Sequence, residues 1–312
     1  MEEKKKVVIV DGYHLLHKGY YGSLKRKKVA VNREGVLINA LYVFVAKIYE
    51  MINSNNYHTV IVTFDVGKEC WRRDIYPAYK ATRKETPSDL IPQMQLVRDF
   101  LTSANIPWYE KCQYEGDDIM GTITRIAVKL GYKVDIISND KDTYQLISKD
   151  VNVISQQSKK TEKETITEKE VFEKFGCKPS QIPDMKSLLG DHSDNIKGVK
   201  GMHYNTAIKL IEKYGSVENI YKNLSDFPPE HRTRLENCRE QVIMNKKIAG
   251  ILKNVDLGRI NFKPLQVNYV RFMGFLKREK MWAFTKIIED KVQDQLRKRE
   301  DALLLKKTEL KK

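Results

Sequence analysis

Three short, mainly apolar runs, each leading into an aspartate, constrain this chain more than any other feature. Val7–Val10 runs into Asp11-Gly12, Val60–Phe64 into Asp65, and Val134–Ile137 into Ser138-Asn139-Asp140. Runs without polar alternation are the mark of strands buried on both faces, as in a mainly parallel sheet covered by helices. Helical spacing fills the intervals. Val36–Ile52 predicts one helix, and Ile119, Ile123, Ile126, Ala127 and Leu130 recur along one face of another. Sites in open parallel sheets form beyond the carboxyl ends of the strands, so Asp11, Asp65 and Asp140 are expected on one rim.

Beyond about Pro179 the strand signals fade. Thr167-Glu-Lys-Glu170 has the form of a capping box opening a short helix. Helical stretches are expected over Asp184–Leu189, Asn205–Tyr214 and Val217–Leu224, with Gly198, Gly201 and Gly215 as turns or caps. The expectation is an α/β domain followed by a smaller helical region.

Composition narrows the partners. The 312 residues carry 56 basic and 41 acidic side chains, a formal charge of +15, which suggests a polyanion such as nucleic acid. The Lys-rich tail from Lys291 contributes only +4 of this, leaving +11 on the body. Cys70, Cys112, Cys177 and Cys238 are scattered without a CxxC pair, which argues against a zinc site or disulfide framework and fits a reducing cytoplasm. Asn39, Lys47 and Glu50 interrupt the most apolar stretch, so no membrane span is expected, and the N-terminus lacks the form of a signal peptide.

The acids extend beyond the three strand ends. Glu115-Gly-Asp117-Asp118 opens the central helix, Asp142 follows Asp140 by two residues, and Gly190-Asp191-His-Ser-Asp194 adds two more. Any one of these is explained by a cap or a turn. Nine on one rim would repel one another without a cation. Mg²⁺ accepts oxygen ligands of this kind, and a pair of such ions about 4 Å apart suits phosphodiester cleavage. The residues alone therefore point to a metal-dependent phosphoesterase. Asp191 and Asp194, three apart, are expected to share one helical turn.

At these motifs the sequence resembles the 5′-nuclease family, which includes the N-terminal nuclease domain of bacterial DNA polymerase I, stand-alone bacterial and phage 5′-exonucleases, and flap endonucleases. The matching segments are VDGYHLL at Asp11, TFD at Asp65, YPAYKATR at Tyr76–Arg83, YEGDD at Glu115–Asp118, SNDKDTYQL around Asp140, and LLGDHSDNIKGVKG at Leu188–Gly201. They occur in family order and span most of the first 225 residues.

The resemblance implies a PIN-like nuclease domain over 1–178 with a helical arch at about 68–104. It also implies a helical duplex-binding region over 179–270 and a basic helical segment over 271–312. It implies a first ion among Asp65, Asp117, Asp118 and Asp140, with Asp11 and Glu115 acting directly or through water. Asp142, Asp191 and Asp194 would hold or orient a second. The ions would be Mg²⁺, with Mn²⁺ as a substitute. Lys80 and Arg83 match basic residues near the scissile phosphate, and Arg72, Arg73 and Lys84 extend that basic segment. Tyr76 and Tyr79 offer faces for bases to stack on, with ordinary packing as the alternative.

Gly198, Lys200 and Gly201 match the family's duplex-binding loop, where backbone amides approach a phosphate. There the chain departs from the family: His203 and Asn205 stand where glycine and lysine are usual, which puts a bound K⁺ and a lysine contact in question. The expected substrate is DNA with free 5′ ends, flaps or junctions, with an RNA primer as an additional substrate. The enzyme is expected to act as a monomer, without an attached polymerase. The rivals are a ribonuclease of the same fold, a branched-DNA binding protein without catalysis, and a small-molecule phosphatase.

Overall fold

A computed structural model describes residues 4–27, 29–54, 56–155 and 164–309; expectations for residues 1–3 and 310–312 lie outside these. The first half of the chain contains β1 (Lys6–Asp11), α1 (Gly12–Lys25), α2 (Asn39–Asn53), β2 (Thr59–Thr63), α3 (Trp71–Ile75), α4 (Ile91–Ala104), β3 (Trp108–Tyr109), α5 (Gly116–Lys129), β4 (Lys133–Ile137) and β5 (Val151–Ser155). Then come β6 (Glu164–Ile166), α6 (Glu168–Phe175), α7 (Ile182–Leu189), β7 (Gly190–Asp191), β8 (Ile196–Lys197), α8 (Tyr204–Tyr214), α9 (Val217–Lys222), α10 (Pro229–Asn237), α11 (Arg239–Ala249), α12 (Tyr269–Arg278) and α13 (Trp282–Glu309). The chain divides into two compact units.

The first unit comprises Met1–His14, Thr63–Glu85 and Tyr109–Phe262. Its strands run in the order β1-β4-β5-β6. β1 and β5 flank β4 in parallel, with Ile9 opposite Ile136 and Ile136 opposite Val153, while β6 closes the edge antiparallel. Val7, Val8, Ile9 and Val10 are fully buried, as a strand covered on both faces requires. The expected mainly parallel sheet with flanking helices is what forms.

Within this sheet, β5 and β6 were not anticipated. Val151–Ser155 is only five residues, with polar Asn152 and Ser155 breaking its apolar pattern, and β6 has three residues. The capping box at Thr167 does form: its hydroxyl accepts from the Lys169 amide, and the Glu170 carboxylate accepts from the Thr167 amide at 2.9 Å.

The second unit comprises Leu15–Val62, Thr86–Trp108 and Lys263–Lys312. Phe100 centres its core, with Phe272 at 5.0 Å and Phe44 at 6.4 Å between ring centroids. Gln93, fully buried, accepts from the amides of Ala40 and Leu41, satisfying donors that the first turn of α2 leaves open. Among the described residues, no helix is long and apolar enough to cross a membrane.

Candidate active site

β1 ends on Asp11, whose carboxylate accepts from the His14 amide (2.9 Å) and the Ser138 hydroxyl (3.0 Å). The second bond ties the end of β1 to the segment that follows β4. Asp65, two residues beyond β2, accepts from the Gly116 amide at 2.5 Å, which brings it against the start of α5. Asp140 accepts from the Asp142 amide at 2.9 Å, turning the chain so that both acids stay close.

The first group couples electrostatically. Burial pushes the Asp11 carboxyl up to about 7, and Asp65 and Asp140 add to the rise against the pull of the His14 amide. Burial also drives Asp117 well above the usual range, with Asp140, Asp11 and Asp65 adding repulsion. Asp65 rises through burial and its proximity to Glu115. The strand-end acids thus share one rim and destabilise one another's charges.

Asp142, Asp191 and Asp194 are closer still. Each contributes an oxygen to a cluster lying within 4.8 Å, the only such group of three among the described residues. Burial raises Asp142 to about 6 despite Lys186, whose ammonium bonds both Asp142 and Asp191. Asp191 is held down to about 2: burial opposes its charge, but Lys186 and the Ser193 hydroxyl and amide outweigh it. An all-oxygen set, with a lysine cation already among it, has the donor chemistry that a hard divalent ion takes.

The expected helical turn carrying Asp191 and Asp194 is instead a tight β7–β8 hairpin. Gly190 has φ +79°, a left-handed conformation, and Asn195 supplies another at φ +58°. At Gly198 a Cβ would fall 2.3 Å from the Leu189 carbonyl, so a side chain there would push the hairpin apart.

Three expectations need correction. Arg72 was expected to face DNA, but only 3% of its side chain is exposed. Its guanidinium donates to Asp118 at 2.7 Å twice, to Glu115 at 2.8 Å, and to the Ile248 and Gly250 carbonyls. All five of its N–H groups are used, leaving none for a phosphate. Asp118, expected beside the first ion, is fully buried, and it also accepts from the Trp71 indole and the Leu252 and Glu115 amides. It points into the protein, while its neighbour Asp117 faces the rim. Tyr79 is buried among Cys70, Ile196, Ile248 and Ala249, with its hydroxyl on Glu115, so packing accounts for it rather than base stacking. Tyr76 packs against the same cluster and donates to the Asn195 carbonyl at 3.1 Å, so it too is held by the protein.

Lys80 and Arg83 stay near the acids. Lys80, at φ +54°, sends its ammonium to Glu115 at 2.5 Å, and its amide donates to the Asp194 carbonyl. Burial works against the ionised form of Glu115, but Lys80 and Arg72 hold it below the usual carboxylate range. Arg83 reaches Asp194 at 2.9 Å with 48% of its side chain exposed, so it links the acid cluster to solvent. Arg73 is half-buried and Lys84 exposed.

Gly198 is half-buried, and Lys200 and Gly201 lie exposed just before α8, with Gly201 at φ +76°. His203 and Asn205 are exposed at the same helix start. The Arg234 guanidinium sits beside Gly201, 3.1 Å from where a Cβ would stand. Neither Arg234 nor Lys186 was anticipated. Nothing in the local pattern separates them from solvated surface charge.

A mainly parallel α/β sheet with carboxylates collected at its strand ends, followed along the chain by a run of helices, defines a class of acid-rimmed α/β folds. Family models give the class its particular form: the 5′-3′ exonuclease N-terminal resolvase-like domain matches residues 6–176, and the 5′-3′ exonuclease C-terminal SAM fold matches 177–271. The chain belongs to the 5′-3′ exonuclease family.

It is 35% identical to DNA polymerase I of Bacillus subtilis over 287 residues, covering 92% of this chain and 31% of that protein. It is 34% identical to the thermostable DNA polymerase I of Thermus thermophilus over 263 residues, 83% of this chain and 30% of that one. The chain thus spans about a third of the length of these curated relatives. Among solved structures it resembles the bacteriophage T5 flap endonuclease in a complex with DNA and metal ions. That match has a TM-score of 0.66 at 20% identity and covers 93% of this chain and 100% of the other. The catalytic core of Rad2 with DNA substrate matches at TM-score 0.54 and 17% identity, covering 89% and 88%.

Proposed function

We propose that the chain is a structure-selective 5′-nuclease that hydrolyses DNA phosphodiesters at free 5′ ends, flaps and junctions with two divalent cations, Mg²⁺ in the first instance. The observation that carries this reading is the rim itself, where acids from several chain segments raise one another's pKa beside exposed Arg83. A group of carboxylates that disfavours its own charge is a poor phosphate binder alone and a good cation binder. Asp11, Asp65, Asp117 and Asp140, with Glu115, form the first ion's donor set. Asp142, Asp191 and Asp194 form the second.

When bound, the cations acidify a nearby water and neutralise charge on the phosphoryl oxygens. The protein's own groups orient the rest. Arg83 is free on one side to meet the scissile phosphate, and Lys80 lies against Glu115, ready to share its charge with developing negative charge. Arg72 and Asp118 lock α3 against α5 and fix the base of the segment that carries both cations. The loop Gly198–Gly201, with Lys200, supports duplex binding through backbone amides at the start of α8.

The reading includes a nuclease domain over 1–178 with an arch at about 68–104, and a duplex-binding region over 179–270. It also includes a monomeric, cytoplasmic enzyme. Mn²⁺ is expected to replace Mg²⁺. The test is incubation with end-labelled flap, nicked, blunt and RNA-primed duplexes in Mg²⁺ or EDTA. Cleavage at the 5′ side of flaps and nicks in Mg²⁺ supports the reading. Binding to all four without any cleavage refutes it.

A further inference from the structure

We infer that Lys186 is a built-in counter-ion of the Asp142–Asp191–Asp194 cluster, standing in the place of a divalent cation until one displaces it. The inference rests on the reading of this cluster as a cation site. Lys186 lies on α7, five residues before Asp191, and its ammonium bonds Asp142 and, at 2.5 Å, Asp191. Both of its hydrogen bonds go to these acids. Three carboxylates with oxygens within 4.8 Å of one another repel strongly; Lys186 offsets this at Asp142 and Asp191, while Arg83 reaches Asp194 from the solvent side.

The nature of that charge matters. An ammonium is a compact charge on a flexible four-carbon stem, so it can leave without rebuilding the backbone. Arg72 is the contrast within the same unit: its planar fork binds two acids and two backbone carbonyls, and it is fixed there. Among the described residues Lys186 has no backbone partner. Its side chain is 13% exposed and borders a cavity of about 470 Å³ that is also lined by His14, Asn139, Lys141 and Phe175. Asp140, Asp142 and Asp191 line that cavity too, so it admits a divalent ion to the acids and leaves room for the ammonium to turn aside.

Entry of a divalent ion is therefore an exchange of cations. The lysine keeps the cluster assembled in its absence, and its removal from the cluster is part of the cost of binding. By linkage, the ion and the lysine weaken each other's hold on the acids by the same factor. The second group then fills at a higher concentration than its carboxylates alone would require.

The experiment is Ca²⁺ titration by calorimetry, with thermal melts in EDTA and Ca²⁺. The proteins are wild type, Lys186→Gln, Lys186→Arg, and the double variant Lys186→Gln/Asp191→Asn. Lys186→Gln should melt lower in EDTA, bind Ca²⁺ at least about tenfold more tightly than wild type, and recover its melting temperature in Ca²⁺. The double variant should lose that gain, which assigns it to the second cluster. Lys186→Arg, which keeps the charge on a rigid fork, should bind Ca²⁺ more weakly than wild type.

Unchanged or weaker Ca²⁺ binding by Lys186→Gln, with a melting deficit that Ca²⁺ does not recover, overturns the inference and makes Lys186 a structural pin. If Lys186→Gln does not fold, Ca²⁺ affinity in Lys186→Arg equal to wild type overturns it instead. Normal flap cleavage alongside either result leaves the nuclease reading standing. No Ca²⁺ binding by any protein, with no cleavage, overturns both.

Discussion

Arg72→Met separates a structural cation from a DNA contact. The change keeps most of the stem volume and removes a guanidinium whose five N–H groups are all used inside the protein. Asp118, with no exposed surface, is then left with only the Trp71 indole and the Leu252 and Glu115 amides. Removing one partner of a buried pair costs roughly 3–5 kcal/mol, because the other charge stays behind unpaired. For a chain of this size that corresponds to a fall in melting temperature of roughly 5–8 °C. Adding Asp118→Asn should recover part of the loss, giving a coupling of at least about 1 kcal/mol in a double-mutant cycle from denaturant unfolding. In the same proteins, the salt dependence of flap binding in Ca²⁺ should be unchanged, since no phosphate contact has been lost. A stability loss below about 1 kcal/mol, together with a slope shallower by about 0.9 unit, would mean that Arg72 reaches DNA after all.

Three further outcomes are expected. Arg83→Ala should lower single-turnover flap cleavage by about 10²–10³-fold while leaving Ca²⁺-supported duplex affinity nearly intact, and equal losses in both would make Arg83 a general phosphate contact. Asp11 and Asp142 keep protons in the folded state, up to about 7 and about 6, that the unfolded chain releases near 3.8. Their contribution to stability in EDTA therefore falls as pH rises from about 4 and is fully lost above about 7. Ca²⁺ binds the ionised acids, so the melting gain from Ca²⁺ should be larger at pH 8 than at pH 5.5; an equal gain would contradict the acid-rim electrostatics. Restoring the family's residues with His203→Gly and Asn205→Lys should tighten duplex binding and steepen log affinity against log salt by about 0.9 unit. An unchanged slope would mean that another cation, with Arg234 beside Gly201 the foremost, already fills that place.

The strands and their terminal acids were legible because a buried parallel strand leaves a largely apolar run: Val7–Val10 is unbroken, and Val134–Ile137 is broken only by Asp135, which pairs with Lys6. The capping box at Thr167 was legible for a similar reason, since both of its bonds are local. What the sequence hid was direction. Asp117 and Asp118 are neighbours at the start of α5, yet one faces the rim and the other is buried on Arg72, a partner 46 residues away. Arg72 and Tyr79 read as surface because charge and aromaticity do not reveal burial. Their partners, Ile248, Gly250 and Glu115, become visible only once α11 packs beneath them. The Asp191–Asp194 spacing suits a helix and a hairpin equally well, and backbone geometry at Gly190, Asn195 and Gly198 selects the hairpin.

Asp140 joins the two groups of acids: it repels Asp11 and Asp117 on one side and Asp142 on the other. Single-turnover cleavage of a 5′-flap duplex in Mg²⁺ by wild type and Asp140→Asn, with flap affinity measured in Ca²⁺, therefore tests the central claim most directly. The account predicts rapid wild-type cleavage that EDTA abolishes, and a folded Asp140→Asn that binds the flap at least as well but cuts it at least about a hundredfold more slowly. Asp140→Asn cutting at the wild-type rate, or cleavage that persists in EDTA, would contradict it.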